Sequence, residues 1–555
     1  MSKAGITIMQ KLFQRKIRTA AKEVLKEISN VEGRSRVQIE NALKRLSKTN
    51  GPQVHFGETE WDFPVSIPQS VLTNHSLVVG ATGAGKSYVA LLLLVHALEQ
   101  FGSGKYRAVG ILDAKGELAA KAVDYLQAYS KRMGEDEREL LKAKTYFIDF
   151  SRNDLVTPYN ILYAGKMPSE LLVNNRIETI SQIYHGSSSL TPRMKSILRH
   201  ALMLLVQHNL PITMFDRLFV EHDFLAALIS KTKDDRLRYY FTHRFPLEPN
   251  ATKLAIRQRV ESLFLTSGVR LSLSAASAPD FQRLQDEGCF VIINVAGPNI
   301  SRGTSEFLLR VILHDIQQSV FRRQLTEQKY LWCLDEAQVL FKHITSRENM
   351  NDLLTLARAF GSYFLLLTQS LSSAVRDRDI INSILTNIRW ILLFRSTLRD
   401  AQIIEHAIPV TGTVLSSKRH PYDQQRFLTK DQELKLQLEE MTRFPDRVAH
   451  LWLKSDLPEA IRIRTRQLAQ PEQIAGCDRS DLDAFKKAFP IGNMVPREKI
   501  QKELEELELW TFGKAKHATK RENIMVDSDK QQTDKDYIRI LESSYSKKAS
   551  KKGKS

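Results

Sequence analysis

Cysteine is scarce in this sequence: its 555 residues include only Cys289, Cys333 and Cys477. The three lie far apart and form no C-x-x-C pair, which argues against a disulfide scaffold and against the common zinc-binding spacings. Cys333 falls inside an apolar run and is most simply a small core residue. The cysteine content therefore indicates a protein of a reducing compartment.

Long uncharged apolar stretches are also missing. The longest, Val89–Leu98, is shorter than the roughly 18 residues that a membrane-spanning helix needs. The N-terminus has mixed charge and helical periodicity, unlike a signal peptide. We therefore expect no built-in membrane span and a cytoplasmic location, with recruitment to the inner face of the membrane by a partner left open.

Acidic residues are outnumbered by basic ones. The sequence has 63 Asp and Glu residues and 81 Lys and Arg residues, which gives a formal net charge of +18. An excess of positive charge favours a polyanionic partner, either nucleic acid or an anionic membrane surface. A basic protein without such a partner fits the same charge, so charge alone does not decide between them.

One stretch carries a specific chemical signal, the phosphate-binding loop pattern G-x-x-x-x-G-K-[ST]. The apolar run before it predicts a buried strand and the run after it predicts a buried helix, which is the context that the motif requires. Lys86 is expected to reach the β- and γ-phosphates and Ser87 to ligate Mg²⁺, so the expected cofactors are ATP and Mg²⁺. The predicted nucleotide-binding residues are Gly80, Ala81, Thr82, Gly83, Ala84, Gly85, Lys86 and Ser87.

Apolar runs that end on polar side chains predict a parallel sheet. They alternate with helical patterns, which is typical of α/β sheets covered on both faces, and ligands of such sheets gather at the carboxyl ends of the strands. At one such end Asp335 is a candidate Mg²⁺ ligand and Glu336 a candidate for polarising the attacking water. The alternative to a catalytic role is that these acids cap the N-terminus of a helix after the strand. The runs are 76–79, 107–113, 144–150, 289–295, 330–336 and 362–369.

Gln369 ends the last of these runs, and Arg358 comes shortly before its start. A glutamine at the carboxyl end of a strand can sense the γ-phosphate or orient the water. Arg358 is a candidate for acting on the nucleotide of a neighbouring subunit, as arginine fingers do. Either residue alone is weak evidence, and Arg395, after a later run, is a weaker candidate for phosphate contact. The catalytic candidates are thus Glu336, Gln369 and Arg358, and the metal candidates are Ser87 and Asp335.

Changes in pattern along the chain predict five segments. The first is a basic helical segment, which could dock on a partner, a membrane surface or DNA, or lie against the main domain. An all-helical insertion divides the phosphate-loop domain in two, and its basic residues, among them Arg199, Arg244 and Arg257, could line a DNA path or simply face solvent. A helical, then disordered, basic tail ends the chain. In order, the segments are 1–50, 51–167, 168–280, 281–470 and 471–555.

Taken together, these pieces resemble the HerA/FtsK superfamily of ring-forming ATPases, above all the cytoplasmic part of the type IV coupling proteins, the TraD/TraG-like ATPases of conjugation. Two features depart from these families, because coupling proteins usually begin with transmembrane helices and HerA proteins with a β-barrel. The similarity runs from about 75 to 395 and is carried by the insertion, Arg358, Gln369 and the motifs His75–Ser87, Asp113–Glu117, Pro158–Asn160 and Leu334–Glu336.

The resemblance implies a RecA-like P-loop NTPase fold, a hexameric ring with sites between subunits, and DNA, single- or double-stranded, in the centre. Asp335 and Ser87 would hold Mg²⁺, Glu336 would activate water and Arg358 would act in trans. The leading hypothesis is an ATP-driven DNA translocase of conjugative type IV secretion, with a relaxase or channel components as partners. The alternatives are a HerA-like pump that works with a nuclease in repair or phage defence, a secretion or assembly ATPase that moves protein, and a nucleotide-gated scaffold, against which Glu336 argues.

Overall fold

The computed structural model describes most of the chain, in two compact units. The sheet unit takes its residues from Met1–Ser151, Asp280–Pro298 and Leu308–Asn493, and the helical unit from Arg152–Pro279, Asn299–Phe307 and Met494–Ser555. The side chains of 347–350 and 508–512 are not described. The described residues are 36–184, 189–324, 328–338, 347–375, 377–410, 428–488 and 493–512.

Eleven strands form a single sheet in the sheet unit, in the order β2-β1-β12-β11-β10-β3-β9-β8-β4-β7-β5. The remaining two, β6 and β13, pair with each other in the helical unit. The described strands are β1 (Gln53–Thr59), β2 (Pro64–Pro68), β3 (Ser76–Val79), β4 (Val109–Asp113), β5 (Thr145–Asp149), β6 (Leu155–Val156), β7 (Phe290–Asn294), β8 (Tyr330–Leu334), β9 (Ser362–Thr368), β10 (Trp390–Phe394), β11 (Val448–Leu453), β12 (Ile461–Thr465) and β13 (Val495–Pro496).

The seven strands from β10 to β5 are parallel throughout. Strands β3, β4, β7, β8, β9 and β10 are buried at every residue, as parallel strands covered on both faces must be. Strand β9 lies between β3 and β8. The polar residues that follow β3, β9 and β8 therefore lie side by side at the carboxyl edge of the sheet.

Four antiparallel strands extend the sheet beyond β10. Strand β11 pairs with β10 and β12, and β12 pairs with β1, which in turn pairs with β2. The sequence did not predict that these strands join the nucleotide-binding sheet. That pairing brings together residues about four hundred positions apart.

Helices cover this sheet, and the helix Lys86–Glu99 after β3 is buried almost all round because it packs against the sheet on its apolar residues. The helices of the sheet unit are 36–47, Gln69–Leu72, Lys86–Glu99, Glu117–Arg132, Glu135–Ala143, Phe281–Asp286, Arg302–Arg322 from 308 onward, Arg347–Ala359, Leu371–Ala374, Arg378–Asn387, Leu398–Ala401, Lys430–Met441, Pro471–Ala475 and Arg479–Ala488, with 3₁₀ turns at Phe101–Ser103 and Gln402–Ala407.

The helical unit has its own core, in which Leu198, Leu202 and Leu205 of one helix are fully buried. Residues 250–273 form two helices, with an interruption after Glu261. The helices of this unit are Ser169–Ile183, Pro192–Gln207, Arg217–Val220, His222–Lys231, Asp235–Tyr239, Asn250–Glu261, Ser267–Leu273 and Arg497–Phe512, with short 3₁₀ or π turns at Ile212–Met214, Tyr240–Arg244, Phe245–Leu247 and Ser262–Phe264.

The predicted α/β fold with a parallel phosphate-loop sheet and helical segments is confirmed. The helical unit begins at Arg152, whereas the sequence placed the start of the insertion at 168, and the helices at 471–488 belong to the sheet unit. Most of the basic N-terminal segment, 1–35, and the tail from 513 onward lie outside the described residues. Within the described ranges, every helix is too short or too polar to cross a membrane.

Candidate active site

The phosphate loop connects β3 to the helix Lys86–Glu99 at the carboxyl edge of the sheet. Gly85 ends the loop with a φ of 120°, a conformation that favours glycine. A Cβ atom on Gly85 would lie 3.1 Å from Cε1 of Phe394, so the position also needs a small residue. The Ala81 N–H donates to the Arg395 carbonyl at 2.7 Å. The loop backbone is thus anchored to the end of β10.

Lys86 lies at the base of the loop and is only 8% exposed. Its Nζ donates to the Ala81 carbonyl at 3.0 Å. Burial lowers the pKa of the Lys86 ammonium, the charges of Asp335 and Glu336 oppose that shift, and the charge of Lys115 adds to it. A phosphate group at the loop would supply the negative charge that a buried ammonium favours.

Asp335 follows β8 directly and is 8% exposed. Its N–H donates to the Leu112 carbonyl at 3.0 Å, which continues the pairing of β8 with β4. Burial raises the pKa of its carboxyl to about 6, the charges of Asp113 and Glu336 act in the same direction, and Lys115 opposes them. Because an added cation would favour the ionised form, these surroundings suit a ligand of a divalent cation.

Glu336 is held in one position by its backbone and by two donors. Its φ of 57° is in the left-handed region, which is uncommon for a residue with a side chain. Its Oε1 accepts a hydrogen bond from Nε2 of Gln369 at 3.1 Å and forms an ion pair with Nζ of Lys115. The structure therefore brings the predicted base Glu336 and the predicted sensor Gln369 into direct contact.

Lys115 is a site residue that motif reasoning did not single out. Burial lowers the pKa of its ammonium, but the hydrogen bond and charge of Glu336, with the charges of Asp335 and Asp113, outweigh burial and raise the pKa overall. Its position could have been noticed from the sequence, because it follows a strand that ends on a carboxylate.

Arg358 lies at the opposite edge of the sheet from these residues. It is exposed, in the last turn of the helix Arg347–Ala359 and before β9 begins, whereas Gln369 follows the end of β9. A strand of seven residues is about 23 Å long. The structure thus does not bring Arg358 into the site of its own chain, and its charge acts instead on His75 and Lys329.

Arg395 is engaged away from the loop. Its guanidinium donates to the Phe444 carbonyl at 3.2 Å and to Asp446 at 3.0 Å. These contacts do not favour the weaker prediction that its side chain binds phosphate. The backbone carbonyl of Arg395, which anchors Ala81, is its contribution to the loop.

The oxygen donors present fit a Mg²⁺ ion that shares its ligands with a nucleotide. No group of three or more His, Cys, Asp or Glu that could hold a metal occurs within the described ranges. Magnesium at phosphate loops is held by one or two protein oxygens together with phosphates and water. Ser87, half-buried at the start of the helix, and Asp335 offer that kind of donor set.

The chain is similar to one protein family and to several solved structures. The family described as the central domain of helicase HerA matches residues 54–316. The coupling protein TrwB, in complex with a non-hydrolysable ATP analogue, has 16% identity and a TM-score of 0.47 over 78% of this chain and 93% of that chain. VirB4 of Thermoanaerobacter pseudethanolicus has 13% identity and a TM-score of 0.43 over 77% and 99%.

None of the curated proteins shows significant sequence similarity to the chain. The family match includes the phosphate loop and the Lys115 turn but ends before Asp335. Residues 54–316, less than half of the chain, are therefore similar to the central domain of the HerA family.

Proposed function

We propose that this chain is an ATP-driven DNA translocase that hydrolyses ATP with Mg²⁺ to move DNA through a ring of identical subunits. The observation that carries the proposal is the position of Glu336. Its buried carboxylate accepts a hydrogen bond from Gln369 at 3.1 Å. Glu336 follows Asp335 at the end of β8, and only β9 lies between β8 and β3, the strand that leads into the phosphate loop. A nucleotide binder without turnover has no need of a carboxylate fixed in that way.

The proposed reaction is in-line attack of water on the γ-phosphorus. Glu336 takes a proton from the water while the water oxygen forms a bond to the γ-phosphorus. The bond from the γ-phosphorus to the β–γ bridging oxygen breaks, and ADP leaves with the bonding electrons. Lys86 and the loop N–H groups stabilise the phosphate charge. Ser87 and Asp335 would hold Mg²⁺, which neutralises charge on the phosphate oxygens when bound. Gln369 orients the water.

Arg358 completes the proposed site from a neighbouring subunit. The side chain is exposed and lies at the far edge of its own sheet, so it is available to another copy. In a head-to-tail ring, each copy would present its Arg358 edge to the nucleotide of the next. We propose six copies, as the resemblance to ring-forming ATPases implies.

DNA as the substrate is supported by charge. The chain carries a formal net charge of +18. In the helical unit, Arg199 and Arg244 are both exposed, and the charges of both act on His200. Arg257, by contrast, is paired with Asp216 at 2.6 Å. The first two are the better candidates for contacting phosphates.

The biological setting that we propose is conjugative DNA transfer, on the cytoplasmic side of the membrane, with a relaxase or secretion-channel components as partners. The family match over residues 54–316 also favours a HerA-like pump that works with a nuclease in repair or defence. Both settings use the same motor, and a protein cargo is the outcome to consider if DNA has no effect.

The first test is ATP hydrolysis by the full chain without DNA, with single strands and with duplex, across a salt series. We expect several-fold stimulation by DNA that fades as salt rises, because phosphate contacts release counterions. Glu336→Gln should remove turnover with and without DNA. The double variant Arg199→Glu, Arg244→Glu should lose the stimulation and keep the basal rate.

The matched control for charge reversal is Arg257→Glu, whose guanidinium is already paired with a carboxylate and which should lower stability more than stimulation. Turnover that depends on Glu336 but responds to no form of DNA would refute the translocase and leave an ATPase with another cargo. Absence of any Glu336-dependent turnover would refute the enzyme itself.

A further inference from the structure

The ammonium of Lys115 is carried by a rigid turn but is itself free to move. The Asp113 carboxylate accepts the N–H groups of Lys115 at 2.7 Å and Ala119 at 2.8 Å. Gly116, next in the turn, has a φ of 89°, and a Cβ atom there would lie 3.2 Å from Oδ1 of Asn294. The Lys115 side chain is nevertheless 48% exposed. A fixed backbone with a long, half-exposed side chain allows the ammonium to exchange partners.

The present partner of that ammonium is the candidate base. Nζ of Lys115 pairs with Oε1 of Glu336, the same oxygen that accepts the hydrogen bond from Gln369. A carboxylate oxygen that already accepts an ammonium and an amide has less capacity to accept a proton from water. While this pair lasts, Oε1 of Glu336 is occupied by the ammonium and the amide and not by a water molecule.

A second partner is available close by. The charge of Lys115 acts on the Lys86 ammonium. The charges of Asp335 and Glu336 act on both lysines, so both ammonium groups lie near the two acids at the carboxyl edge of the sheet. The phosphate loop directs its lysine to the β- and γ-phosphates. Because Glu336 is proposed to activate the water that attacks the γ-phosphorus, the γ-phosphate would be the phosphate nearest to Glu336.

We propose that Lys115 is a positioning residue that responds to the γ-phosphate. With a nucleoside triphosphate bound, its ammonium leaves Glu336 for the γ-phosphate oxygens, and the released carboxylate turns to the attacking water. With a diphosphate the ion pair to Glu336 persists. Lys115 would thereby couple the presence of the third phosphate to activation of the base. The proposal rests on the proposed ATPase function.

The test compares nucleotide affinities of Lys115→Met, which keeps the length of the side chain and removes its charge. In the full-length protein, displacement of a fluorescent nucleotide gives dissociation constants for ADP and for a non-hydrolysable ATP analogue. We expect the ATP analogue to bind about tenfold more weakly, the loss of one charge-assisted hydrogen bond, with ADP affinity unchanged. The kcat for ATP should fall, and Lys115→Arg should restore part of both properties.

Lys121→Met is the matched control, because Lys121 is exposed on the helix that follows the same turn. It should leave both affinities and kcat unchanged. Equal weakening of ADP and the ATP analogue by Lys115→Met, or no change in either, would overturn the inference, since a merely structural role does not discriminate the third phosphate. A wild-type chain that binds neither nucleotide would instead refute the proposed function together with it.

Discussion

At the scale of single residues, Asp335 is a buried carboxyl surrounded by other negative charges. Burial, then the charges of Asp113 and Glu336, raise its pKa from the ordinary 3.8 to about 6 in the folded chain. Folding therefore disfavours the ionised form of Asp335. The associated loss of stability is fully present above about pH 6 and disappears as the pH falls toward 4.

We therefore predict that Asp335→Asn stabilises the chain when divalent cations are removed with a chelator. At pH 8 the free energy of unfolding should rise by about 1–3 kcal/mol, the value of a shift of about two pKa units, with allowance for relaxation. Thermal unfolding at pH 8 and pH 5 measures the gain, which should shrink at the lower pH. The exposed Asp481→Asn is the control. An equal gain at both pH values would contradict the explanation by charge.

At the scale of elements, β4 and β8 fit together through one glycine and one tryptophan. Gly110 lies opposite Trp332 in the register of the two strands, and a Cβ atom on Gly110 would overlap the Trp332 ring. The ring cannot easily turn away, because it is fully buried and its Nε1 donates to Oε1 of Gln285 at 3.2 Å. The absence of a side chain at Gly110 thus leaves room for the Trp332 ring on β8, the strand that Asp335 follows.

Gly110→Ala should consequently lower the free energy of unfolding by about 2 kcal/mol or more, the usual cost of overpacking a core. Replacing Trp332 by the smaller Phe in the same chain should recover part of the loss. Denaturant unfolding of the single and double variants measures both effects. Gly134→Ala, at a position with no neighbouring atom within 4 Å, is the control and should change little. Absence of recovery in the double variant would rule out the Trp332 contact as the cause.

The sequence predicted elements better than their arrangement. The parallel strands were predictable because burial on both faces demands continuous apolar runs, and the loop residues, Asp335 and Glu336 because their chemistry has a local pattern. The insertion of β9 between β3 and β8, and the pairing of β12 with β1, depend on contacts between distant residues. For the same reason Lys115 was not predicted, since its partner Glu336 lies more than two hundred residues away.

At the scale of the whole molecule, the candidate residues of the site all belong to the sheet unit, and the exposed Arg199 and Arg244 to the helical unit. The two units are built differently, one on an eleven-stranded sheet and the other mainly on helices. Substitutions in the helical unit can thus be used to test DNA contacts with little effect on the chemistry of the phosphate loop.

Strand β9 separates Arg358 from Gln369 by its full length, so Arg358 is proposed to serve the site of a neighbouring subunit. A chain without Arg358 should then be complemented by a chain without Glu336. Arg358→Ala keeps Glu336, and Glu336→Gln keeps Arg358. Each variant alone should be inactive, while an equal mixture that exchanges subunits should show activity at about a quarter of its interfaces, half times half, in a head-to-tail ring. A mixture as inactive as its components would mean that Arg358 serves no neighbouring site. Measured against the wild-type rate, the recovered activity would report the fraction of interfaces that combine an intact Glu336 from one subunit with an intact Arg358 from its neighbour.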